Sequence, residues 1–257
     1  MTIIKAIATQ AIFYALLIAA WQGLHFLCVS VFGLWKPYAF PNPLGVWKSL
    51  CTLVEQNMLY IAVYSSLKRA VIGYFLSIAI GIILGFLLVK FKILANTVKP
   101  LILGFQTLPS ICWVPFAILW FGLNESAIIF VILMGSTFSI AISVDMAIRN
   151  VNPLYIKAAK TMGAKGLNIY VKVICPASLP SLITGLKQGW SFAWRSLMAG
   201  EVMSASIGLG QALTMGRDLA DINRVMLIII IIVILGVLIE RLVFTILEEK
   251  ILKRMGY

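Results

Sequence analysis

Residues that carry catalytic chemistry are scarce in this sequence. Only 9 of its 257 residues are Asp or Glu, and His25 is its one histidine. Metal sites built from histidines, and catalytic triads with a histidine base, therefore lack their parts. The sequence also has no G-x-x-x-x-G-K-[ST] phosphate loop, no H-E-x-x-H and no G-x-S-x-G. We expect no catalytic residues, no metal site, and no ATP, zinc or serine hydrolase activity in this chain.

The cysteines do not indicate a disulfide or metal-binding framework either. The chain has four cysteines, and no two of them form a C-x-x-C pair. Because they lie in or beside apolar segments, we expect small, buried apolar side chains rather than disulfides or metal ligands. They are Cys28, Cys51, Cys112 and Cys175.

Apolar residues dominate what is present. They make up 61% of the chain, charged residues make up 12%, and the mean hydropathy is +1.02. A soluble domain carries about twice that charged fraction. Several apolar runs approach the ~20 residues that a helix needs to cross a bilayer. We therefore predict an all-α polytopic membrane protein, with residues 1–257 forming a single transmembrane domain.

Six spans can be placed along the chain. Further membrane segments follow the first apolar run, so we predict a retained span rather than a cleaved signal peptide. Residues 1–59 then hold the first span and an outer loop, and residues 60–250 form the core. Pro100, Pro109 and Pro115 would interrupt the third span, and broken helices at membrane depth tend to line cavities. The predicted spans are 11–32, 62–89, 98–121, 125–147, 180–203 and 222–246.

Positive charge indicates the orientation. The formal net charge is +12, and the Lys and Arg residues cluster beside the ends of apolar runs, as in the cytoplasmic loops of membrane proteins. This placement argues against a nucleic-acid partner. A cytoplasmic N-terminus puts most of these residues inside, so we expect both termini to be cytoplasmic. Lys68 and Arg69 are exceptions near the outer end of the second span, and they either snorkel or line a polar seam between helices.

The longest predicted cytoplasmic segment, residues 150–178, is basic and amphipathic. Asn152, which a proline follows, favours a helix start, and Gly163 favours a helix stop. A second helix from about residue 165 to 174 should end before Pro176. The resulting helix–turn–helix either docks another protein or faces anionic lipid, and amphipathicity alone does not decide between them.

The spacing of small residues in this segment resembles the EAA loop of ATP-binding-cassette (ABC) importer permeases. That pattern is E-A-A, three residues, G, nine residues, then I-x-L-P. Lys157 replaces its glutamate here, and Ala164 adjoins its glycine. The positions that match in register are Ala158, Ala159, Gly163 and Pro176.

Four further stretches widen the resemblance to about residues 60–250. They resemble permeases for nitrate, sulfonate, taurine and similar small compounds. They are SSLKRAVIGYFLSIAIGIILG at 65–85, LPSICWVPFAILWFGL at 108–123, LPSLITGLKQGWSFAWRSLMAGEV at 179–202 and IGLGQAL at 207–213.

This resemblance implies the MetI-like transmembrane domain of a type I ABC importer, with about six transmembrane helices and a cytoplasmic coupling helix, in a bacterial inner membrane. It implies a separate ATPase dimer that binds ATP and magnesium and receives the coupling loop, so that this chain itself holds no cofactor. A second permease subunit, which we expect to be a copy of this chain, and an extracytoplasmic solute-binding protein would complete the importer.

The alternatives are a stand-alone secondary transporter or channel, disfavoured by the scarcity of acidic residues in the spans, and a membrane enzyme.

Polar residues within the spans are candidates for the pathway. Arg195 follows Trp190 and Trp194, which share one face of the fifth span, and Gln106 lies in the third. Arg195 either lines the pathway or pairs with a neighbouring helix. Glu201, near the outer end of its span, either meets the solute-binding protein or pairs with a basic residue.

Two other spacings predict helix contacts. Asp145 and Arg149 lie four residues apart and should form a local ion pair. The G-x-x-x-G patterns at 81–85 and 185–189 predict close helix packing rather than a role in binding solute.

Overall fold

The fold is built from helices. The computed structural model describes residues 2–36 and 38–254, and no β-strand occurs in these ranges. Short 3₁₀ or π turns extend several of the helices: Phe26–Val31 after the first, Ser110–Trp113 before the fifth, Tyr170–Ile174 before the ninth and Glu240–Thr245 before the last. The helices are α1 (Thr2–His25), α2 (Pro43–Glu55), α3 (Met58–Lys90), α4 (Lys92–Thr107), α5 (Val114–Phe121), α6 (Glu125–Arg149), α7 (Pro153–Thr161), α8 (Leu167–Ile169), α9 (Cys175–Met203), α10 (Leu209–Asp218), α11 (Ile222–Ile239) and α12 (Ile246–Arg254).

The predicted spans correspond to five continuous segments and one broken one. Within the described ranges, the segments long and apolar enough to cross a membrane are Ile12–Val31, Met58–Lys90, Glu125–Arg149, Leu167–Met203 and Ile222–Lys253. The third predicted span bends by 102° between α4 and the segment Ser110–Phe121. Pro109 lies in this break and Pro115 opens α5, as expected of residues that lack a backbone N–H. The prediction of about six spans is confirmed.

Helix α6 forms the centre of the bundle. Most of its apolar stretch is buried, whereas α3 and α9 bury a smaller share of theirs. Glycines let both neighbours approach α6 closely: a Cβ on Gly81 or Gly85 of α3 would meet Ile140 or Val144 of α6. On α9 the glycines face Ser143, Ile140 and Ile128 of α6, and they are Gly185, Gly189 and Gly200. Both G-x-x-x-G patterns therefore pack helices, as predicted.

The start of α9 differs from the prediction. The helix expected to end before Pro176 instead continues, as one apolar segment from Leu167 to Met203. Pro176 lies in the first turn of α9, directly after the π turn Tyr170–Ile174. A local π turn can re-satisfy the backbone groups that a proline frees. The proline therefore marks an irregularity within a long helix rather than its end.

The cysteines are free, as expected, but their burial differs from the prediction. Cys51, Cys112 and Cys175 are exposed on this chain, and Cys28 is half-buried. In a membrane-spanning bundle an apolar side chain gains little from facing protein rather than lipid, because lipid tails are equally apolar. Apolar character therefore did not predict burial for these thiols.

The close packing of α3 against α6 gives a direct test. In Gly85→Ala the new methyl group would lie 2.5 Å from the Cβ of Val144 and 2.8 Å from the carbonyl oxygen of Ala141. We expect the variant to lose about 1–3 kcal/mol of stability through overpacking. The matched control is Gly104→Ala, because a Cβ there meets no heavy atom within 4 Å. Thermal unfolding in detergent measures both, and equal midpoints would contradict the packing described.

Candidate translocation cavity and coupling loop

A cavity lies where the broken span meets the centre of the bundle. It encloses about 330 Å³ between the α4–α5 break, α6 and α9. Its polar side chains include Gln106 beside the break, Ser110 after it, and Arg195 and Ser196 on α9. Gly135, near the middle of α6, also lines it, which places the cavity at mid-span depth.

Arg195 supplies the positive charge of this cavity. Its Nε donates to the carbonyl oxygen of Ser191 at 3.1 Å, and its guanidinium lies over the ring of Phe192, 4.6 Å from the ring centroid. No acidic side chain of the described residues pairs with it. Glu240, on the last apolar segment, pairs with Lys187 instead, at 3.1 Å. Of the two roles considered for Arg195, the structure therefore favours lining a polar space.

Two polar atoms in this cavity have no partner within the described part of the chain. They are Oε1 of Gln106 and Oγ of Ser196, both buried. Ser196 approaches α6 so closely that a Cβ on Gly135 would clash with its hydroxyl. Buried polar atoms normally form hydrogen bonds, so a ligand or water that reached either atom would find an unpaired group.

The two tryptophans do not belong to this cavity. Trp190 and Trp194 are 4% and 7% exposed, and the first packs edge-on against Tyr74 at 5.2 Å. The indole N–H of Trp194 donates to the carbonyl oxygen of Ile232 on α11, at 3.3 Å. Arg195, the next residue on α9, borders both this cavity and the groove that the two tryptophans form with α11. The expectation that all three side chains line one path stays a prediction: the three border that groove together, and of the three Arg195 also borders the cavity.

Glu201 is buried rather than displayed. It is 0% exposed, and Nη1 of Arg69 donates to its carboxylate at 2.8 Å. The hydroxyl of Ser66 and the backbone N–H of Gly210 also bind this carboxylate, at 2.7 and 3.0 Å. The expected contact with a solute-binding protein is therefore corrected to the alternative, an ion pair with a basic residue. The sequence shows both charges but not that they lie side by side.

Arg69 joins this network to its surroundings. It also donates to the carbonyl oxygen of Ile207 at 2.8 Å and to Glu125, at the start of α6, at 3.1 Å. Lys68 lies 3.9 Å from the same Glu125 carboxylate, on the half-exposed rim. The predicted polar seam is confirmed, and it ties α3 to α6, α9 and the segment leading into α10.

The two glycines of the IGLGQAL motif, Gly208 and Gly210, pack directly against Glu201. A Cβ on Gly208 would lie 2.5 Å from the carboxylate of Glu201, and a Cβ on Gly210 would lie 2.5 Å from the Cβ of Glu201. Without side chains, both residues let the backbone pack over the buried acid.

A second charged cluster lies at the opposite end of α6. Asp145 is 0% exposed and accepts from Nε of Arg149 at 2.6 Å, as the spacing predicted. Lys99 of α4 donates to the other carboxylate oxygen at 2.6 Å, a contact that the sequence did not reveal. Arg149 also donates to the carbonyl oxygen of Leu88, near the end of α3, at 2.8 Å. The cluster therefore fixes α3, α4 and α6 together just before the chain enters the loop.

The loop itself has well-defined ends. Oδ1 of Asn152 accepts from the N–H of Leu154 at 2.9 Å and caps α7, as predicted. Gly163 has φ +87°, and the N–H groups of Gly163 and Ala164 donate to the carbonyl oxygens of Lys160 and Ala159. These two bonds form a Schellman motif, the usual glycine-terminated helix end.

Helix α7 leaves much apolar surface uncovered. Leu154, Tyr155 and Met162 are 68%, 51% and 88% exposed. Lys157 is exposed and pairs with no acidic group of the described residues. A groove of about 650 Å³ runs between α7 and the start of α9, and its lining includes Ala158, Ala159 and Pro176. Three of the residues matched to the EAA pattern thus line one groove, and Gly163 ends the helix that carries two of them.

Comparison with known proteins identifies the family. Residues 77–253 match the family of binding-protein-dependent transport system inner membrane components. The chain belongs to this family. It is thus a multi-pass membrane transport component, not an enzyme, as the EAA-type loop indicated.

Named permeases are similar to this family member over most of its length. An ABC transporter permease of Methanocaldococcus jannaschii is 36% identical over 68% of this chain and 66% of its own length. An aliphatic sulfonates transport permease of Bacillus subtilis is 29% identical over 93% of this chain and 84% of its own. A nitrate import permease of Leptolyngbya laminosa is 27% identical over 80% of this chain and 83% of its own. The resemblance to the nitrate and sulfonate subgroup is confirmed.

A solved structure supports the fold. An inward-facing MetNI methionine ABC transporter contains a chain that superposes with a TM-score of 0.64 at 23% identity, covering 76% of this chain and 96% of that one. The predicted MetI-like architecture is therefore confirmed.

Removing Arg69 tests the buried network of this permease. In Arg69→Met the Glu201 carboxylate keeps its burial but loses its counter-charge, so we expect a loss of about 3–5 kcal/mol in stability. The matched control is Lys68→Met. Lys68 lies 3.9 Å from the half-exposed carboxylate of Glu125, so losing this ion pair should cost no more than about 1 kcal/mol of stability. Thermal unfolding in detergent compares the two. A similar loss of stability in both variants would show that the burial of the Glu201 carboxylate does not determine the effect.

Proposed function

We propose that this chain is the transmembrane permease subunit of an ABC importer. It forms the path for a small polar solute of the nitrate, sulfonate, taurine or vitamin-precursor class, and it couples to a separate ATPase subunit through the loop at 150–178. The observation that carries this proposal is the capped helix α7, which exposes an apolar surface between α6 and α9.

The connectivity explains how movement of the loop would reach the solute. Helix α6 ends four residues before α7 begins, and α9 continues upstream through the π turn into α8. Both α6 and α9 line the cavity that contains Arg195. A partner that displaces α7 therefore pulls on two walls of the cavity, because helices transmit displacement along their axes. A helix seated in a groove is a common way to pass rigid-body motion between proteins.

The proposed importer needs other subunits. An ATPase dimer binds ATP and magnesium, and its closure displaces α7. A second permease subunit, in the simplest case a copy of this chain, completes the path across the bilayer. An extracytoplasmic solute-binding protein, as in the family's description, delivers the solute at the end of the bundle that holds Glu201.

The proposed orientation places both termini in the cytoplasm, with the chain in the inner membrane of a bacterial cell. The loop carries Lys157, Lys160, Lys165 and Lys172, and such clusters favour the cytoplasmic side. The cluster of Lys99, Asp145 and Arg149 then lies at the cytoplasmic end.

A stand-alone secondary transporter or channel is less well supported. Proton-coupled transport commonly uses an acidic group that can exchange its cation. Asp145 and Glu201 are the fully buried acids of the described residues, and each already has fixed basic partners within the protein. Neither is free to serve as a coupling site in this arrangement.

A charge placed on α7 tests the coupling loop. We expect Ala158→Glu to abolish copurification with the partner ATPase subunit, because a carboxylate would enter an apolar contact. Ala158 is exposed, so the variant should fold and unfold like the wild type. The matched control is Asn96→Glu, an equally exposed site on α4 outside the loop. If Ala158→Glu retains the ATPase and ATP-driven uptake, the loop is not the docking surface.

A further inference from the structure

We propose that the cavity beside the broken span binds a small organic anion, with an oxyanion head on Arg195 and a short apolar body against the surrounding side chains. The inference rests on the proposed function, because it treats this cavity as part of the solute path. It goes further by locating a selective site within the permease itself and by defining the ligand that this site accepts.

The terminal nitrogens of Arg195 are free to bind a ligand. The only hydrogen bond that the structure gives this side chain within its described part uses Nε. The two terminal nitrogens of an arginine match an oxyanion with two parallel hydrogen bonds. Charged residues inside spans face polar partners or water-filled cavities. Since no carboxylate of the described residues fills this role, an anionic ligand is the natural partner.

The neighbouring polar groups suit the same ligand. Ser196 is 1% exposed, yet its hydroxyl has no partner among the described residues. Ser110 presents a second hydroxyl from the far side of the break, and the amide of Gln106 adds N–H donors. Together with the guanidinium they can surround an oxyanion head with hydrogen-bond donors from three segments of the chain.

The rest of the lining selects for an apolar body. It is formed by aromatic and aliphatic side chains, and the volume of about 330 Å³ lies at the small end of ligand cavities. A bare inorganic anion would leave this apolar surface uncovered. The principal apolar residues are Phe105, Leu108, Ile111, Met134, Phe192 and Ala199.

The lining also lacks a counter-charge for an ammonium group. Among the described residues that border the cavity there is no Asp or Glu. An amino-sulfonate such as taurine would bring a positive charge into a space that already contains Arg195, and an unpaired or like-charged group is strongly disfavoured. The site should therefore prefer an alkyl sulfonate or carboxylate over a zwitterion of the same size.

Binding to the permease in lipid nanodiscs, without ATPase, tests this site. Titration calorimetry with butanesulfonate should show saturable binding, with taurine and nitrate at least about tenfold weaker. Arg195→Gln should abolish binding, and Arg195→Lys should retain a weaker interaction, because an ammonium cannot form the planar fork. Ser196→Ala should weaken binding several-fold without lowering the unfolding temperature, since its hydroxyl has no protein partner to lose.

The matched control is Lys187→Gln, which removes another positive charge from α9 at a residue that does not line this cavity. It should bind butanesulfonate like the wild type. Absence of binding to the wild type, unchanged binding to Arg195→Gln, or equal affinity for taurine would each overturn the proposal. Because the assay needs no ATPase, its outcome is independent of the coupling loop: if Ala158→Glu keeps the ATPase and ATP-driven uptake while the wild type binds the anion, the proposed coupling fails and the anion site stands.

Discussion

The close approach of α3 and α9 to α6 is the constraint on which the rest of the structure depends. Lipid tails provide no hydrophobic force between helices, so the bundle relies on packing and on satisfied polar groups. Gly81 and Gly85 of α3, and Gly185 and Gly189 of α9, meet β-branched or small side chains of α6 at distances that leave no room for a methyl group. This contact brings Ser196 against Gly135 and creates one wall of the cavity.

Buried charges fix the two ends of this packed unit. At one end Arg69 and Glu201 connect α3, α9 and the approach to α10, and at the other Asp145 binds Lys99 and Arg149. A buried pair is weak evidence for net stability but strongly disfavours other arrangements, because breaking it leaves a charge unpaired. The middle of the bundle differs, since Arg195 has no such partner among the described residues. Charges that hold helices together are thus distinct from Arg195, which faces a cavity.

The sequence predicts the span positions, the glycine contacts, the caps of α7 and the Asp145–Arg149 pair, because each depends on spacing along one helix or on apolar length. It does not predict contacts between residues far apart in the chain. Glu201 meets Arg69 only after α3 and α9 have packed on α6, and the sequence alone could not choose between this pair and an exposed acid. The same holds for Trp190 and Trp194, since a helical face can be aromatic toward a neighbouring helix as well as toward a path. Pro176 shows a different limit, because a π turn overrides a local rule for helix ends.

The central claim is that solute crosses this bundle only when ATP closes a partner bound to α7. The most direct measurement is uptake of a radiolabelled alkyl sulfonate into proteoliposomes that contain the permease with or without its ATPase and solute-binding protein. The account predicts uptake that requires all three proteins and ATP on the side of α7, and that ignores proton and sodium gradients. Uptake by the permease alone, driven by an ion gradient, would contradict it.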